Sequence, residues 1–229
     1  MKTKRIEEIT WYIDSEALSR GEPGICHSYI ASMATVLQTI GLEVDPVWLM
    51  GVSGFAFRIY IAQNMCPSCM SVFEWERILP ETIKQTGFTA KYISRMWNEE
   101  AKEAERRKLA HQFIQDGIDR QVPAIGWDLI VPEWGLITGY DDRRQQYGTL
   151  WEDKRGILPY YKLGKNGIDI LSVTVMNAPN RTNRKETVLH SLKTAVKHAE
   201  QGNGWTGLNT RMACLRTMYG RRLWTPEQS

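Results

Sequence analysis

The first residues whose types could do chemistry are a neighbouring cysteine and histidine, Cys26 and His27, in the stretch GICHSYIASMATVLQTIG (24–41). An apolar run at helical spacing follows them and Gly41 stops it, which predicts a buried helix over 26–40. The N-terminus of a helix presents unpaired N–H groups and a partial positive charge, and both lower the pKa of a thiol. Cys26 is therefore a candidate nucleophile, with a buried structural thiol as the alternative.

A CxxC pair, Cys66 and Cys69, offers a third interpretation, in which Cys26 and His27 complete a zinc site. Structural zinc sites usually join two spaced pairs of ligands, whereas an adjacent cysteine and histidine cannot easily aim both side chains at one ion. On a helix the His27 ring would also point about 100° away from Cys26, so the two do not form a ready dyad. We expect no metal ion and no cofactor.

The second stretch that carries chemistry is AIGWDLIVPEWGLITGYDD (124–142), in which two apolar runs frame a loop. Glu133 directly precedes the second run and Trp134 begins it. A lone acid in that place could point into a cleft, and an exposed loop carboxylate is the simpler alternative. The sheet supplies no obvious histidine as a base for Cys26, because the other histidines fall on predicted amphipathic helices: His111, His190 and His198.

The elements that must position these residues come in the order helices, strands, helices, which is typical of an α+β domain with an antiparallel sheet. We expect one domain over 1–229, with its core at 20–178 and a helical C-terminal extension at 179–229. The predicted elements after the first helix are a helix at 46–51, a strand at 55–62, a helix at 71–86 with a kink or break at Pro80, a strand at 88–97, a helix at 98–117, a block of short strands, and helices at 183–201 and 207–219.

The composition fits a globular protein, with 42% hydrophobic and 24% charged residues. The net charge of +3 is too small and too scattered to indicate nucleic-acid binding. No signal peptide and no apolar run of about 18 residues is found, so we expect no membrane partner and a cytoplasmic location with reduced thiols. Nine tryptophans indicate a large aromatic core or an aromatic-lined cleft. The oligomeric state is left open.

Together the two stretches resemble the papain-like cysteine peptidase superfamily, and within it the double-glycine-peptidase-like branch and the N-terminal family of butirosin biosynthesis protein H. The resemblance covers about residues 20–165. It rests on the buried helix that ends in Gly41, the segment GLEVDPVWLMGVSGFAF after it, and the apolar strand that closes in GYDD (139–142). It implies a papain-like fold and a thiol acyl-transfer site, with a cysteine nucleophile, a histidine base and an orienting acid.

This sequence departs from the family pattern at two positions. Counting back from GYDD places Glu133 where the family has its histidine. Counting back from Gly41 places Ser28 where the family has its cysteine, whereas the helical phase favours Cys26. Asp153 falls near the position of the orienting acid.

These departures leave three hypotheses. In the first, the chain is a papain-like-fold protein with an altered catalytic site, which binds a small-molecule, acyl or peptide ligand in its cleft, and His27, Ser28 and Trp134 contribute to binding. In the second, it is a cysteine-dependent acyltransferase or amide hydrolase. In the third, its C-terminal helices at 183–219 dock a partner protein. The second hypothesis takes Cys26 as nucleophile, with Glu133 and Asp153 as polar partners.

Overall fold

The structure, a computed structural model, describes residues 2–13, 20, 25, 27–58, 74–179 and 183–201. Several sequence predictions lie outside these residues. They concern the roles of the Cys26, Cys66 and Cys69 thiols, the end of the strand predicted at 55–62, the start of the helix predicted from 71, and the helix predicted at 207–219.

The described residues confirm a mixed α+β fold built on an antiparallel sheet. The helices are α1 (Ser28–Thr39), α2 (Pro46–Val52), α3 (Trp75–Gln85), α4 (Glu103–Asp119) and α5 (Arg184–Gln201). The strands are β1 (Thr3–Arg5), β2 (Phe88–Arg95), β3 (Ala124–Trp127), β4 (Trp134–Asp141), β5 (Gln146–Trp151), β6 (Lys154–Pro159) and β7 (Leu171–Pro179). Short 3₁₀ turns lie at Phe55–Phe57, Glu100–Lys102 and Tyr160–Lys162.

The described strands form one seven-stranded sheet in the order β2-β7-β3-β4-β5-β6, and β1 pairs with the far end of β4. Every pairing is antiparallel. β4 is almost entirely buried and lies between β3 and β5, because its apolar run faces the core on both sides. The strand that closes in GYDD is therefore central to the sheet.

Helix α1 is the buried helix that the sequence predicted. All residues from Tyr29 to Leu37 are buried, and the helix packs against β4 and β3. It begins at Ser28, with His27 in the N-cap position, and Gly41 follows its end with a left-handed φ of 79°. The prediction that an early helix packs on the antiparallel sheet is thus confirmed.

One local prediction was wrong, and of the kink or break predicted at Pro80 the break does not occur. Phe55–Phe57 form a 3₁₀ turn rather than the start of a strand, because Gly54 adopts a φ of 80° and turns the chain immediately before them. Pro80 lies inside α3 without ending it.

The C-terminal helix α5 forms as predicted and packs on α2 and α3. In the described ranges, no helix is both long enough and apolar enough to cross a lipid bilayer.

Candidate functional site

The structure brings together two of the residues singled out from the sequence, Ser28 and Glu133. Ser28 is the first residue of α1, and its Oγ donates a hydrogen bond of 2.5 Å to Oε2 of Glu133, which lies 105 residues further along the chain. The backbone N–H of Trp134 donates to the same Ser28 Oγ at 3.3 Å. The start of α1 and the start of β4 are therefore joined by hydrogen bonds to the side chain of Ser28.

Helix α1 is held in this orientation by two further hydrogen bonds. Ser32, one turn after Ser28, donates from its Oγ to the carbonyl oxygen of Trp134 at 3.1 Å. The hydroxyl of Tyr29 and Oγ1 of Thr174 on β7 lie 3.0 Å apart. All four groups are buried, so these bonds satisfy polar atoms that would otherwise be costly in the core. They fix the position of the helix N-terminus against β4.

The loop that presents Glu133 is anchored by Asp128, a residue that the sequence analysis did not identify. The Asp128 carboxylate is buried, and its Oδ2 accepts the backbone N–H groups of Gly167 and Ile168 at 2.6 and 2.7 Å. The backbone N–H of Asp128 donates to the carbonyl oxygen of Glu133 at 3.0 Å. Burial raises the pKa of Asp128, although the two N–H donors act in the opposite direction. The loop is thereby tied to the segment before β7.

Glu133 is half-buried, and burial raises the pKa of its carboxyl group, while the hydrogen bond from Ser28 lowers it in part. No described lysine, arginine or histidine forms an ion pair with Glu133. Among the described residues its only hydrogen-bonded side chain is that of Ser28. The carboxylate therefore has acceptor capacity left on Oε1.

The side chain of His27 faces into the core and is not placed to act as a base. Its ring stacks on Phe55 at a centroid distance of 4.1 Å and lies 6.1 Å from the ring of Trp134. Neither ring nitrogen makes a hydrogen bond within the described part of the chain. Burial lowers the pKa of His27 to about 4, so the imidazole is neutral at pH 7. It does not contact the Ser28 hydroxyl as a hydrogen-bond partner.

Trp134 contributes to the site through its backbone rather than its indole ring. The side chain is fully buried and packs with the rings of Trp75 and Trp127 at centroid distances of 4.8 and 4.5 Å. The tryptophan-rich composition thus builds an aromatic core beneath the Ser28–Glu133 pair. No sequence pattern revealed the contribution of Phe55 to this core.

Asp153 is not brought to the pair. It lies in the two-residue turn between β5 and β6, where Trp151 is paired with Lys154, and its side chain is exposed. No hydrogen bond or ion pair connects it with Ser28 or Glu133. The position near the family's orienting acid therefore carries no such contact in this structure.

Two surface depressions lie away from the pair. One, of about 830 Å³, adjoins the C-terminal end of α1 and residues 41–46. The other, of about 400 Å³, is lined by Lys2, Gln115, Asp116, Asp119, Tyr140 and Asp142. Neither is lined by Ser28 or Glu133. Within the described residues, no group of three or more histidine, cysteine, aspartate or glutamate side chains is placed to hold a metal ion.

Comparison with known proteins adds no assignment, because no protein-family model and no curated protein matches the chain. The chemistry of the site must therefore be argued from its geometry. A serine hydroxyl at a helix N-terminus donates to a half-buried carboxylate, and a backbone N–H donates to the serine.

Proposed function

We propose that this chain has a papain-like fold with an altered catalytic site, which binds a small-molecule, acyl or peptide ligand beside Ser28 and Glu133. The direct hydrogen bond between these two side chains carries the proposal. The resemblance assigns Ser28 to the position of the family cysteine and Glu133 to that of the family histidine. A papain-like chain requires contact between these two positions, and their 2.5 Å bond meets that requirement.

The proposal of an inert site follows from the acid–base chemistry of the pair. A general base works best when its pKa lies near the working pH, as that of an imidazole does at about 6.5. A carboxylate starts from about 4.3, and a serine hydroxyl is a much weaker acid than a thiol. Burial raises the pKa of Glu133, but this does not make the serine hydroxyl a stronger acid. Ser28 and Glu133 thus form a stable hydrogen bond rather than an activated nucleophile.

The geometry also indicates which groups a ligand would present. An ionised carboxylate accepts hydrogen bonds and donates none, so Glu133 Oε1 suits an N–H or O–H donor on the ligand. The N–H of Ser28, the first of α1, has no partner within the helix and belongs to a half-buried residue, so it suits a carbonyl oxygen. A peptide or acyl-amide segment carries both groups within a few ångströms of each other. This matches the acyl or peptide ligand of the first hypothesis.

Turnover is the first test. The wild-type chain, Ser28→Ala and Cys26→Ala are assayed with p-nitrophenyl acyl esters and acyl thioesters, and we expect no activity that depends on either residue. Activity lost with Ser28→Ala would refute the inert site. Activity lost with Cys26→Ala would refute it too, and would favour the alternative, a cysteine-dependent acyltransferase or amide hydrolase.

Restoration of the family pair is the second test. In Ser28→Cys/Glu133→His, we expect the new thiol to react with iodoacetamide at a lower pH than the same thiol in Ser28→Cys alone. Peptide mapping by mass spectrometry separates this thiol from the four native cysteines. Equal pH profiles in the two variants would argue against a papain-like relation between these positions.

Binding is tested with N-acetyl dipeptide amides as probes, and NMR titration measures their affinity. We expect Glu133→Gln to weaken binding about tenfold, because it removes the charge that accepts the ligand's N–H. Asp153→Asn is the matched control, since it removes a carboxylate charge at an exposed turn. Equal affinity in the wild type and Glu133→Gln, or no binding by any probe, would contradict the ligand site.

A further inference from the structure

Helix α5 presents its aliphatic side chains to solvent. Val188 is 37% exposed, Leu189 and Leu192 are 50% exposed, and Val196 is 57% exposed. These four residues, here called the α5 row, recur at helical spacing on one side of the helix. Scattered exposed aliphatic residues are ordinary, whereas a contiguous row on one helix face indicates an interaction surface.

The opposite side of α5, which faces the rest of the protein, is small and polar. Ser191 is buried and donates from its Oγ to the carbonyl oxygen of Gly51 at 2.5 Å. The methyl group of Thr194 lies against Gly54, where an added Cβ would approach it to 3.1 Å. Thr187 is buried on the same side. The packing of α5 on α2 therefore leaves the α5 row uncovered by that contact.

The α5 row is symmetric about Leu192 except at Leu189, whose counterpart is Ala195. Val188 lies four residues before Leu192 and Val196 four residues after it. Lys185 lies about 20° around the helix from Leu192, near the start of the row, and Glu200 lies beyond its other end. Both charged side chains are exposed. A helix with this arrangement is complementary to a second copy of itself that runs in the opposite direction.

We propose that the α5 row is a homodimer interface, in which α5 packs antiparallel against α5 of a second copy around a twofold axis at Leu192. Leu192 then meets its own equivalent, and Val188 of each copy lies opposite Val196 of the other. Lys185 of each copy reaches the level of Ala199 and Glu200 in the other, so both ends carry an attractive charge pair. Such a contact is isologous, as twofold dimers require.

The size of the α5 row sets the expected strength. Stable dimers bury about 800 Å² on each partner, and one helix face with four aliphatic side chains provides less. We therefore expect an equilibrium between monomer and dimer, with a dissociation constant on the order of micromolar. This inference rests on α5 alone and is independent of the function proposed for Ser28 and Glu133.

Sedimentation of the full chain over about 1 to 500 µM tests the proposal. We expect concentration-dependent dimerisation, and Leu192→Glu should raise the dissociation constant at least about tenfold, because it places two carboxylates together at the axis. Lys197→Gln is the matched control. It changes the net charge by the same amount at an exposed position about 140° around the helix, and should leave dimerisation unchanged. A monomer at all concentrations, or an unaffected Leu192→Glu, would overturn the proposal.

A charge exchange tests the antiparallel register. Lys185→Glu should weaken the dimer, and Lys185→Glu combined with Glu200→Lys should restore it, because the two positions meet only when the helices are antiparallel. Both substituted side chains, Lys185 and Glu200, are exposed, so circular dichroism melting should show an intact fold. A double variant that stays as weak as Lys185→Glu would refute this register.

Discussion

The carboxylate of Asp128 accepts the backbone N–H of Ile168 at 2.7 Å, across 40 residues of chain. This bond joins the loop before β4 to the segment before β7. The same loop begins at Asp128 and ends at Glu133. The residue that anchors the loop and the residue that belongs to the candidate site therefore lie at its opposite ends. Asp128 is therefore a positioning residue, and its loss should affect both stability and the Ser28–Glu133 pair.

Asp128→Ala should lower the free energy of unfolding by about 1–3 kcal/mol. Ile168 is buried, so its N–H would be left without an acceptor and without access to water. Asp128→Asn should cost less, because its carbonyl oxygen can still accept the N–H. Urea denaturation measures both variants. An Asp128→Ala protein as stable as Asp128→Asn would show that the bond does not anchor the loop.

Ser28→Ala should raise the pKa of Glu133 above its wild-type value. The hydrogen bond from Ser28 stabilises the ionised carboxylate, so its removal leaves burial to act alone. The measurement is a pH titration of the Glu133 side-chain carboxyl carbon by NMR. Ser191→Ala, which removes a hydroxyl that bonds to Gly51 instead, is the control. An unchanged or lowered pKa in Ser28→Ala would contradict the direct bond.

Ser28, the residue reached by counting back from Gly41, contacts Glu133, whereas Cys26, which helical phase favoured, lies outside the described residues. Phase favoured Cys26, because it shares a helical face with the apolar residues that follow. However, α1 is buried on every side from Tyr29 to Leu37, so the apolar pattern cannot tell which residue points at the site. The count from Gly41 led to Ser28, which is the first helical residue.

Other features of the site could not be predicted from local patterns. Asp128 has a φ of 54° and owes its role to Gly167 and Ile168, which are distant in sequence, and no spacing rule connects them. Phe55 looked like a strand residue because its neighbours are aromatic and branched. The left-handed φ of Gly54 overrides that propensity, and the resulting turn places the ring of Phe55 against that of His27.

His27 should make stability depend on pH between about 6.5 and 4. Above this window the imidazole is neutral in both states. Within it, the unfolded chain binds a proton that the folded chain excludes, so the free energy of unfolding falls as the pH falls, by up to about 3 kcal/mol. Burial is the cause of the lowered pKa.

His27→Phe keeps an aromatic ring against Phe55 and removes the titrating group. Its stability, measured by urea denaturation at several pH values, should therefore decline less than that of the wild type between about pH 6.5 and 4. His190→Gln removes an imidazole that is about half exposed and serves as the control. Equal slopes for the wild type and His27→Phe would show that the pKa of His27 is not lowered in the folded state.

Two nearby glycines should respond to alanine with opposite signs. Gly54 has a φ of 80°, and a Cβ there would lie 3.1 Å from the methyl group of Thr194, so Gly54→Ala should destabilise the fold by about 1–2 kcal/mol. Gly51 lies within α2, and a Cβ there would meet no atom within 4 Å. Gly51→Ala should therefore stabilise the fold by about 0.5–1 kcal/mol. Thermal melting compares each variant with the wild type, and a Gly54→Ala protein at least as stable as the wild type would contradict the left-handed turn that presents Phe55 to His27.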